Sequence, residues 1–329
     1  MSAPSSRPRS PARRWIAHLW REWTVESWRP IAPAFAHPQP NEWEDSRLTA
    51  AWIGHSTVLL NIFGIIVLTD PVLFSRIGIR LPFFTIGPKR LTAPALVWNE
   101  LPPIDLVLLS HAHFDHFDTR TLHRIARLNR STRFQPMVHR QDADPATVIS
   151  APRTRDLLRW THLRKITELR WGETHEIRAA AGSMTVRAFR VKHWGARVQR
   201  DTHRGYNGYI LERNGRRIIF AGDTAVTDSF AALRDGRSYD LAIMSIGAYN
   251  PWIRSHCTPE QAIAMCNAAG VDHIMPVHHQ TFRLSFEPFR EPIERFEAAL
   301  EREPNRIALR EIGETFVLPR KNASSLPAV

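Results

Sequence analysis

The segment from Ser110 to His116 holds three histidines and one aspartate within the six positions 111–116, directly after an apolar run typical of a β-strand. Side chains of an extended segment alternate between its two faces, so His111 and His113 can point the same way. A turn after them would aim Asp115 and His116 at a neighbouring point. The pattern therefore predicts a metal site and favours two metal ions over one. The alternative is a chance cluster, which the uneven placement of the 16 histidines argues against.

Four further polar residues follow apolar, strand-like runs elsewhere in the chain. They are Asp70 after residues 65–69, His193 after residues 186–191, Asp223 after residues 218–222, and His278 after residues 273–277. We predict that His111, His113 and His193 surround one metal ion, that Asp115, His116 and His278 surround the other, and that Asp223 bridges them. Zinc accepts these nitrogen and carboxylate ligands, and seven protein ligands leave room for a bridging water. Two metal ions about 3.5–4 Å apart would lower the pKa of this water, which suits the hydrolysis of esters and phosphodiesters.

Apolar runs and turn signals predict the secondary structure. Strands are expected at residues 49–53, 58–62, 65–69, 105–109, 165–169, 176–179, 184–191, 208–212, 217–221, 241–245, 273–277 and 314–318, and helices at 119–128, 259–269 and 291–302. Residues 70–99 are expected to form a long loop, residues 141–161 an irregular region, and Asn214-Gly215 a tight turn. Strand runs with inserted helices favour a mixed α/β (α+β) fold of two packed mixed sheets flanked by helices.

Chain length favours one catalytic domain, residues 43–320, within the 329-residue chain. A basic arm rich in Trp, Arg and Pro, residues 1–42, would precede it, and a short tail, residues 321–329, would follow. Cys257 and Cys266 stand nine positions apart in a helix-like stretch, so no disulfide is expected. A reducing compartment such as the cytoplasm fits this, and no apolar stretch in the sequence reaches the length of a membrane span.

The N-terminal arm and the overall charge bear on partners. Apolar residues recur at near-helical spacing in residues 13–29, and Trp combined with Arg is typical of a helix that rests on an anionic membrane. Such a helix would make the protein peripheral at the inner face of the membrane, but packing across the main domain is slightly favoured. The net charge is +12, yet 40 of the 44 basic residues are Arg and they are scattered along the chain. Nucleic acid is therefore an unfavoured partner, whereas a small-molecule or lipid substrate that bears phosphate is compatible.

The order of Asp70, His111 to His116, His193, Asp223 and His278 resembles the five motifs of the metallo-β-lactamase superfamily. Within it, the chain looks most like the N-acylphosphatidylethanolamine-hydrolysing phospholipase D group and its bacterial relatives. That likeness covers about residues 43–318 and rests on residues 52–57, 68–71, 87–90, 101–105, 193–194, 221–224 and 246–249, and on His256 ahead of Pro259-Glu260. The resemblance implies an αββα sandwich, two zinc ions and hydrolase activity.

Two segments depart from the lipid-hydrolysing pattern. The chain has His278-His279-Gln280-Thr281-Phe282 where those enzymes have His-Trp-Gly-Thr-Phe, and residues 249–252 lack the acidic-basic version of that segment. The metal-binding histidine is kept as His278, but the exact lipid substrate does not follow. We expect the residues around Tyr249, His256 and His279 to select the substrate.

Individual neighbours of the motifs have alternative interpretations. The matching position in the family implies that His256 contacts a substrate phosphate or donates a proton. The alternative is that His256 caps the helix that begins near Thr258. His55 is either a turn residue bonded to backbone or a partner of a ligand, with neither favoured. Asp70 is expected to orient a ligand histidine through its other ring nitrogen. His279 is a solvent or pocket residue, or the ligand in place of His278.

The sequence thus predicts a binuclear zinc hydrolase in which Asp115 and Asp223 hold a metal-bridging hydroxide and His256 stabilises developing charge. A phospholipid-type phosphodiester is the first substrate expected, and a lactone or another ester is the alternative. Iron and manganese also accept these ligands. The competing class is a non-catalytic, zinc-containing module that binds nucleic acid or membrane. Structural zinc sites are usually single, closed and often cysteine-rich, which disfavours it.

Overall fold

The computed structural model describes residues 26–128, 146–198 and 200–320. Its strands are β1 (Leu48–Gly54), β2 (Thr57–Ile62), β3 (Ile65–Thr69), β4 (Ile79–Arg80), β5 (Thr85–Ile86), β6 (Leu106–Leu109), β7 (Thr147–Ser150), β8 (Lys165–Glu168), β9 (Thr174–Ala179), β10 (Gly182–Phe189), β11 (Gly208–Arg213), β12 (Arg216–Phe220), β13 (Tyr239–Ser245), β14 (Val271–Val277) and β15 (Thr315–Val317). One sheet has the order β15-β1-β2-β3-β6-β7-β8, and the other has the order β14-β13-β12-β11-β10-β9. Strands β4 and β5 form a separate hairpin.

The helices are α1 (Thr119–Leu128), α2 (Arg155–Leu158), α3 (Pro259–Ala269) and α4 (Glu291–Ala299). Apolar residues of both sheets, Trp52 and Phe220 among them, form one buried core between the sheets. The outer face of the first sheet packs against α1 through residues such as Leu122. The outer face of the second packs against α3 and α4 through Ile263 and Phe296. These four layers confirm the expected αββα sandwich.

The candidate site residues follow the carboxyl ends of the parallel strands. Strands β3 and β6 run parallel in the first sheet, and β12, β13 and β14 run parallel in the second. Asp70 follows β3, His111 lies just beyond β6, and Asp223 and His278 follow β12 and β14. In open sheets of this kind, ligands bind outside the carboxyl ends of the strands.

Most predicted elements are present with small shifts at their ends. Helices α1 and α3 have the predicted bounds, and α4 ends at Ala299 instead of residue 302. Asn214 and Gly215 both have positive φ, 49° and 71°, and join β11 to β12 in the expected tight turn. Cys257 and Cys266 are both free, as expected, and both are buried.

Two regions differ from the prediction. The segment expected to be irregular, residues 141–161, contains β7 and α2, and the long loop at residues 70–99 contains the β4–β5 hairpin. Strand β7 is only four residues long and pairs in parallel with neighbours on both sides, so it lacks the polar alternation that marks a half-exposed strand.

Most of the N-terminal arm, residues 1–25, and the tail, residues 321–329, lie outside the described residues, so the predicted amphipathic helix stays a prediction. Short 3₁₀ turns occur at Glu26–Trp28 and Pro40–Glu42. The segment between these two turns contacts the main domain: the side chain of Arg29 donates to the carbonyl oxygen of Arg90 at 2.7 Å. No helix in the described part of the chain is long and apolar enough to cross a membrane.

Candidate metal centre

Three imidazoles from two distant segments form the first half of the cluster. Nε2 of His111 lies 2.9 Å from Nδ1 of His113. The same His113 nitrogen lies 3.3 Å from Nε2 of His193, which comes from the loop after β10. One ring nitrogen from each residue thus faces a common point, as in the predicted first metal site.

The second half of the cluster is centred on two carboxylates. Nε2 of His116 and Nε2 of His278 each lie 3.5 Å from Oδ2 of Asp115. The same two nitrogens each lie 3.1 Å from Oδ2 of Asp223. Asp115, His116 and His278 therefore meet as the sequence predicts for a second metal site.

Asp223 lies between the two halves. Its Oδ2 is 4.0 Å from Nε2 of His111 and 3.8 Å from Nε2 of His193, in addition to its contacts with the second half. Its other oxygen, Oδ1, accepts a hydrogen bond of 2.7 Å from the hydroxyl of Ser245, at the end of β13. Ser245 thus fixes the rotation of the carboxylate and leaves Oδ2 directed at both halves, the position expected of a bridging ligand.

Burial keeps the first three imidazoles in the form that binds metal. It lowers the pKa of His111 and His193 well below the ordinary value, and it lowers the pKa of His113 to about 4. A neutral imidazole has a free nitrogen lone pair, whereas a protonated one has none. These three side chains are therefore ready to act as ligands at neutral pH.

The second half holds charges of both signs when no metal is bound. Burial alone would raise the pKa of Asp223, but the positive charges of His116 and His278 outweigh it and hold that pKa well below its ordinary value. Burial would lower the pKa of His278, but Asp223 and Asp115 together outweigh it and raise this pKa to about 9. A divalent cation would take over the role of these protons, because metal binding and proton release are coupled.

Three buried histidine ring nitrogens also indicate that the cluster binds a metal ion. Nε2 of His116, Nε2 of His278 and Nδ1 of His256 are buried, and none makes a hydrogen bond of good geometry within the described ranges, although the first two lie 3.1 Å from Oδ2 of Asp223. Buried polar atoms without partners are costly, so a native site that aims three of them inward needs an ion or ligand to satisfy them. The nitrogen and carboxylate donors present here suit zinc and other borderline transition metals.

An outer layer of hydrogen bonds orients the rings. Oδ2 of Asp70 accepts from Nδ1 of His116 at 2.7 Å, and Oδ1 accepts from the backbone N–H of Ser110 at 2.7 Å. The Ser110 hydroxyl donates to Asp70 at 2.5 Å and lies 2.8 Å from Nδ1 of His111. Nδ1 of His193 donates to the carbonyl oxygen of Ser255 at 2.9 Å. Each contact leaves the opposite ring nitrogen free to face the cluster.

Replacement of Asp70 by Asn should lower metal affinity about 10–100-fold, because the amide cannot hold His116 and Ser110 as the carboxylate does. A titration against a competing chromophoric chelator measures this. Asp240 supplies the matched control, since it is also buried but its carboxylate accepts from Arg216 and from the backbone of Arg217 on β12. Asp240→Asn should leave metal affinity unchanged, and equal affinities in both variants would contradict the role of Asp70.

His55 and His256 both lie against the cluster. Nε2 of His55 lies 3.0 Å from Oδ2 of Asp115, which favours the interpretation of His55 as a partner of a ligand. Nδ1 of His256 lies 3.9 Å from Oδ2 of Asp223, and burial lowers the pKa of His256 to about 4. The cap of α3 is Thr258, whose side chain accepts from the backbone N–H of Gln261, so His256 is not used for capping.

His279 and Tyr249 contact residues outside the cluster. The His279 ring is buried with its centroid 4.6 Å from that of Trp52, so the solvent-exposed alternative is wrong. No grouping of candidate ligands among the described residues includes His279, whereas His278 belongs to one. The Tyr249 hydroxyl donates to Glu291 at 2.7 Å. His279 and the candidate ligand His278 both line a cavity of about 830 Å³, which favours the pocket interpretation of His279, whereas the hydroxyl of Tyr249 is held by Glu291.

Several supporting residues were not identified from the sequence. Ser245 occupies a strand end, and the rule that found Asp223 and His278 could have found it. Trp194 lies beside the site at the protein surface, with its ring 4.6 Å from that of His113 and 40% exposed. Arg197 donates to the carbonyl oxygens of Ala112 and Phe117 and so supports the segment of residues 110–117, the metal loop. No sequence signal marks that arginine.

An αββα sandwich with a buried His/Asp cluster beyond its strand ends is the architecture of metal-dependent hydrolases, the class to which this enzyme belongs. The model of the β-lactamase superfamily domain matches residues 66–279. The chain therefore belongs to the metallo-β-lactamase superfamily, as its motifs suggest.

Similar proteins include an uncharacterised protein of Mycobacterium tuberculosis, 32% identical over 294 residues that cover 85% of this chain and 72% of the relative. The N-acyl-phosphatidylethanolamine-hydrolyzing phospholipase D 1 of Caenorhabditis elegans is 30% identical over 266 residues, which cover 75% of this chain and 68% of the relative. Among solved structures, a metallo hydrolase of Ignicoccus hospitalis aligns with a TM-score of 0.61 at 18% identity, covering 83% of this chain and 99% of that one. At that identity the last likeness shows the fold alone.

Proposed function

We propose that this protein is a binuclear zinc hydrolase that cleaves phosphodiesters of the phospholipid type, such as an N-acylphosphatidylethanolamine. The observation that carries the proposal is the position of Oδ2 of Asp223, within 4.0 Å of ring nitrogens from both halves of the cluster. Two such ions acidify a water molecule and polarise the oxygen of a substrate ester. The named C. elegans relative supports the choice of a phospholipid substrate.

The residues of the chain provide positioning and charge. Asp70 holds the proton on Nδ1 of His116, and the Ser255 carbonyl holds the proton on Nδ1 of His193, so both rings present Nε2 to the centre. Asp115 and Asp223 supply the negative charge; Asp223 is buried, and the side chain of Asp115 is only 14% exposed. Because water is largely excluded there, the electrostatic effect of these groups on a substrate is strong.

His256 is the proposed contact for substrate oxygen. It is 6% exposed, and its Nδ1 has no hydrogen-bond partner in the part of the chain that the structure describes. A neutral imidazole can donate one N–H to an oxygen of the phosphate or of the leaving group. It can thereby stabilise the charge that develops there.

Replacement of His256 by Gln should lower kcat about 100-fold while the metal content stays unchanged, because general acid–base or charge stabilisation of this kind contributes about 10²–10⁴-fold. Steady-state kinetics and elemental analysis of the same preparations provide the measurement. His273→Gln is the matched control, because His273 bonds the backbone carbonyl of Asp240 within β13 and should not affect kcat. Loss of metal from His256→Gln would instead make His256 a ligand.

The function is tested with the zinc-loaded protein on an N-acylphosphatidylethanolamine and, in parallel, on a panel of lactones and simple esters. Release of phosphatidic acid that depends on the bound metal supports the proposal. Turnover of lactones without phosphodiester cleavage would replace it with the lactonase alternative. Elemental analysis of protein purified without added metal tests the choice of zinc, since iron and manganese accept the same donors.

A further inference from the structure

The β4–β5 hairpin exposes apolar side chains at its tip. Phe83 is 97% exposed, Phe84 47% and Leu81 36%. The tip is a closed turn, because the N–H of Leu81 donates to the carbonyl oxygen of Phe84 at 2.8 Å. The paired strand residues Ile79 and Ile86 are also exposed, by 53% and 45%. Contiguous exposed apolar surface of this kind typically marks an interaction site.

The base of the hairpin is packed, so the exposed tip is part of a defined structure. A Cβ on Gly78 would lie 2.0 Å from the carbonyl oxygen of Ile86, and a Cβ on Gly87 would lie 2.1 Å from that of Ile77. Only glycines permit this close approach of the two backbones. Ile77 itself is buried with Phe282, and the partly buried Phe114 of the metal loop packs against them.

A basic groove lies beside the apolar tip. Hairpin residues and α1 enclose about 570 Å³ together with Trp160, which is 75% exposed. Four arginines line the groove: Arg80, Arg120, Arg124 and Arg127. Among the described residues that line it there is no Asp or Glu. Arg120 is paired with Asp118 next to the groove, whereas Arg80 and Arg127 extend into solvent.

We propose that the hairpin and the arginine-lined face of α1 dock this protein on an anionic phospholipid bilayer. Aromatic and aliphatic side chains at the tip would enter the boundary between headgroups and acyl chains, while the guanidinium groups contact lipid phosphates. Charge complementarity selects this occupant, because basic residues beside a membrane are attracted by anionic lipids. A nucleic acid would use the arginines but would leave Ile79, Leu81 and Ile86 in water.

The surface adjoins the metal centre through the base of the hairpin. Phe282, which packs with Ile77, has its ring 5.2 Å from that of His55, and His55 contacts Asp115. Phe114 stands between two predicted metal ligands and joins the same apolar cluster. A bilayer held by the tip would therefore lie near the side of the molecule that carries the metal loop. The docking inference itself does not depend on which ester the centre cleaves.

Co-sedimentation of the full chain with vesicles tests the proposal, using phosphatidylcholine alone and phosphatidylcholine with about one quarter phosphatidylglycerol. Phe83→Ser should weaken binding to the anionic vesicles about tenfold, since burial of one Phe side chain contributes at least that factor. The double change Arg80→Glu and Arg127→Glu should reduce binding to the level seen with neutral vesicles.

Matched controls are Phe35→Ser, a 72% exposed Phe outside the hairpin, and Arg178→Glu on β9, whose side chain is 83% exposed. Both controls should bind like the unaltered protein.

A fluorescent label locates the contact. Phe83→Cys can be labelled selectively with an environment-sensitive dye, because both native cysteines are buried. Anionic vesicles should shift its emission to the blue, and a label at Phe35→Cys should not respond. The proposal would be overturned if the protein did not bind vesicles. It would also be overturned if the Phe83→Ser variant and the Arg80→Glu, Arg127→Glu variant both bound them as strongly as the unaltered protein. A blue shift that appears on self-association without lipid, or a contact made with nucleic acid and not with vesicles, would overturn it as well.

Discussion

Asp115→Asn should reduce turnover to below about one hundredth of the original while the fold persists. Oδ2 of Asp115 lies 3.0 Å from Nε2 of His55 and 3.5 Å from Nε2 of both His116 and His278. The replacement keeps the shape of the side chain but removes a negative charge from a buried cluster of imidazoles. The amide is also a poorer ligand than the carboxylate, so the second half of the cluster should bind metal weakly.

Kinetics, elemental analysis and circular dichroism of one preparation check this expectation. Asp118→Asn is the matched control, because Asp118 lies three residues further along the same loop but accepts from the backbone and the hydroxyl of Thr121 at the start of α1. That variant should lose stability and keep most of its activity. Activity of Asp115→Asn above about one hundredth of the original would show that Asp115 is not part of the reaction centre.

Removal of metal by a chelator should abolish activity and lower Tm by about 10 °C. A ligand present at about 1,000 times its Kd stabilises the folded state by about 4 kcal/mol, and each kcal/mol shifts Tm by about 2–4 °C in domains of 150–250 residues. The physical reason lies in the cluster, where Nε2 of His116 and of His278 each lie against the carboxylates of Asp115 and Asp223. Without metal, Asp115 and Asp223 are balanced only by protons on these imidazoles.

Differential scanning calorimetry of the chelated and reloaded protein provides the measurement. Zinc should restore both Tm and activity, whereas magnesium should restore neither, because it prefers oxygen ligands and octahedral geometry. His273→Gln, which lies outside the cluster, should show the same metal-dependent shift as the unaltered protein. An unchanged Tm after complete metal removal would mean that the cluster is satisfied without an ion.

Strong local patterns predicted much of the fold. The helix expected at residues 119–128 is α1, and Thr258-Pro259 marks the start of α3. The elements that were missed have weak local signals. Strand β7 is four residues long and buried by its neighbours, while β4 and β5 are two residues each and are held by the approach of Gly78 and Gly87 to the opposite backbone.

The candidate ligands were predictable for a different reason. Imidazole and carboxylate groups beyond apolar runs are chemically distinctive, so His193, Asp223 and His278 stood out although they are far from the His111–His116 motif in the sequence. Common residues that work through hydrogen bonds did not stand out. Ser245 acts only because β13 pairs beside β12 and places its hydroxyl 2.7 Å from Asp223.

The sequence by itself determined the chemistry available to this protein: a set of nitrogen and carboxylate donors, a metallo-β-lactamase pattern and a hydrolytic class. Only the tertiary structure decided how those donors are used, because ring orientation and burial depend on contacts between distant segments. It places His55 against Asp115, turns Tyr249 toward Glu291 and buries His279 beside Trp52. It also leaves Phe83 in solvent at the tip of the hairpin, because no described element of the fold packs over that side chain.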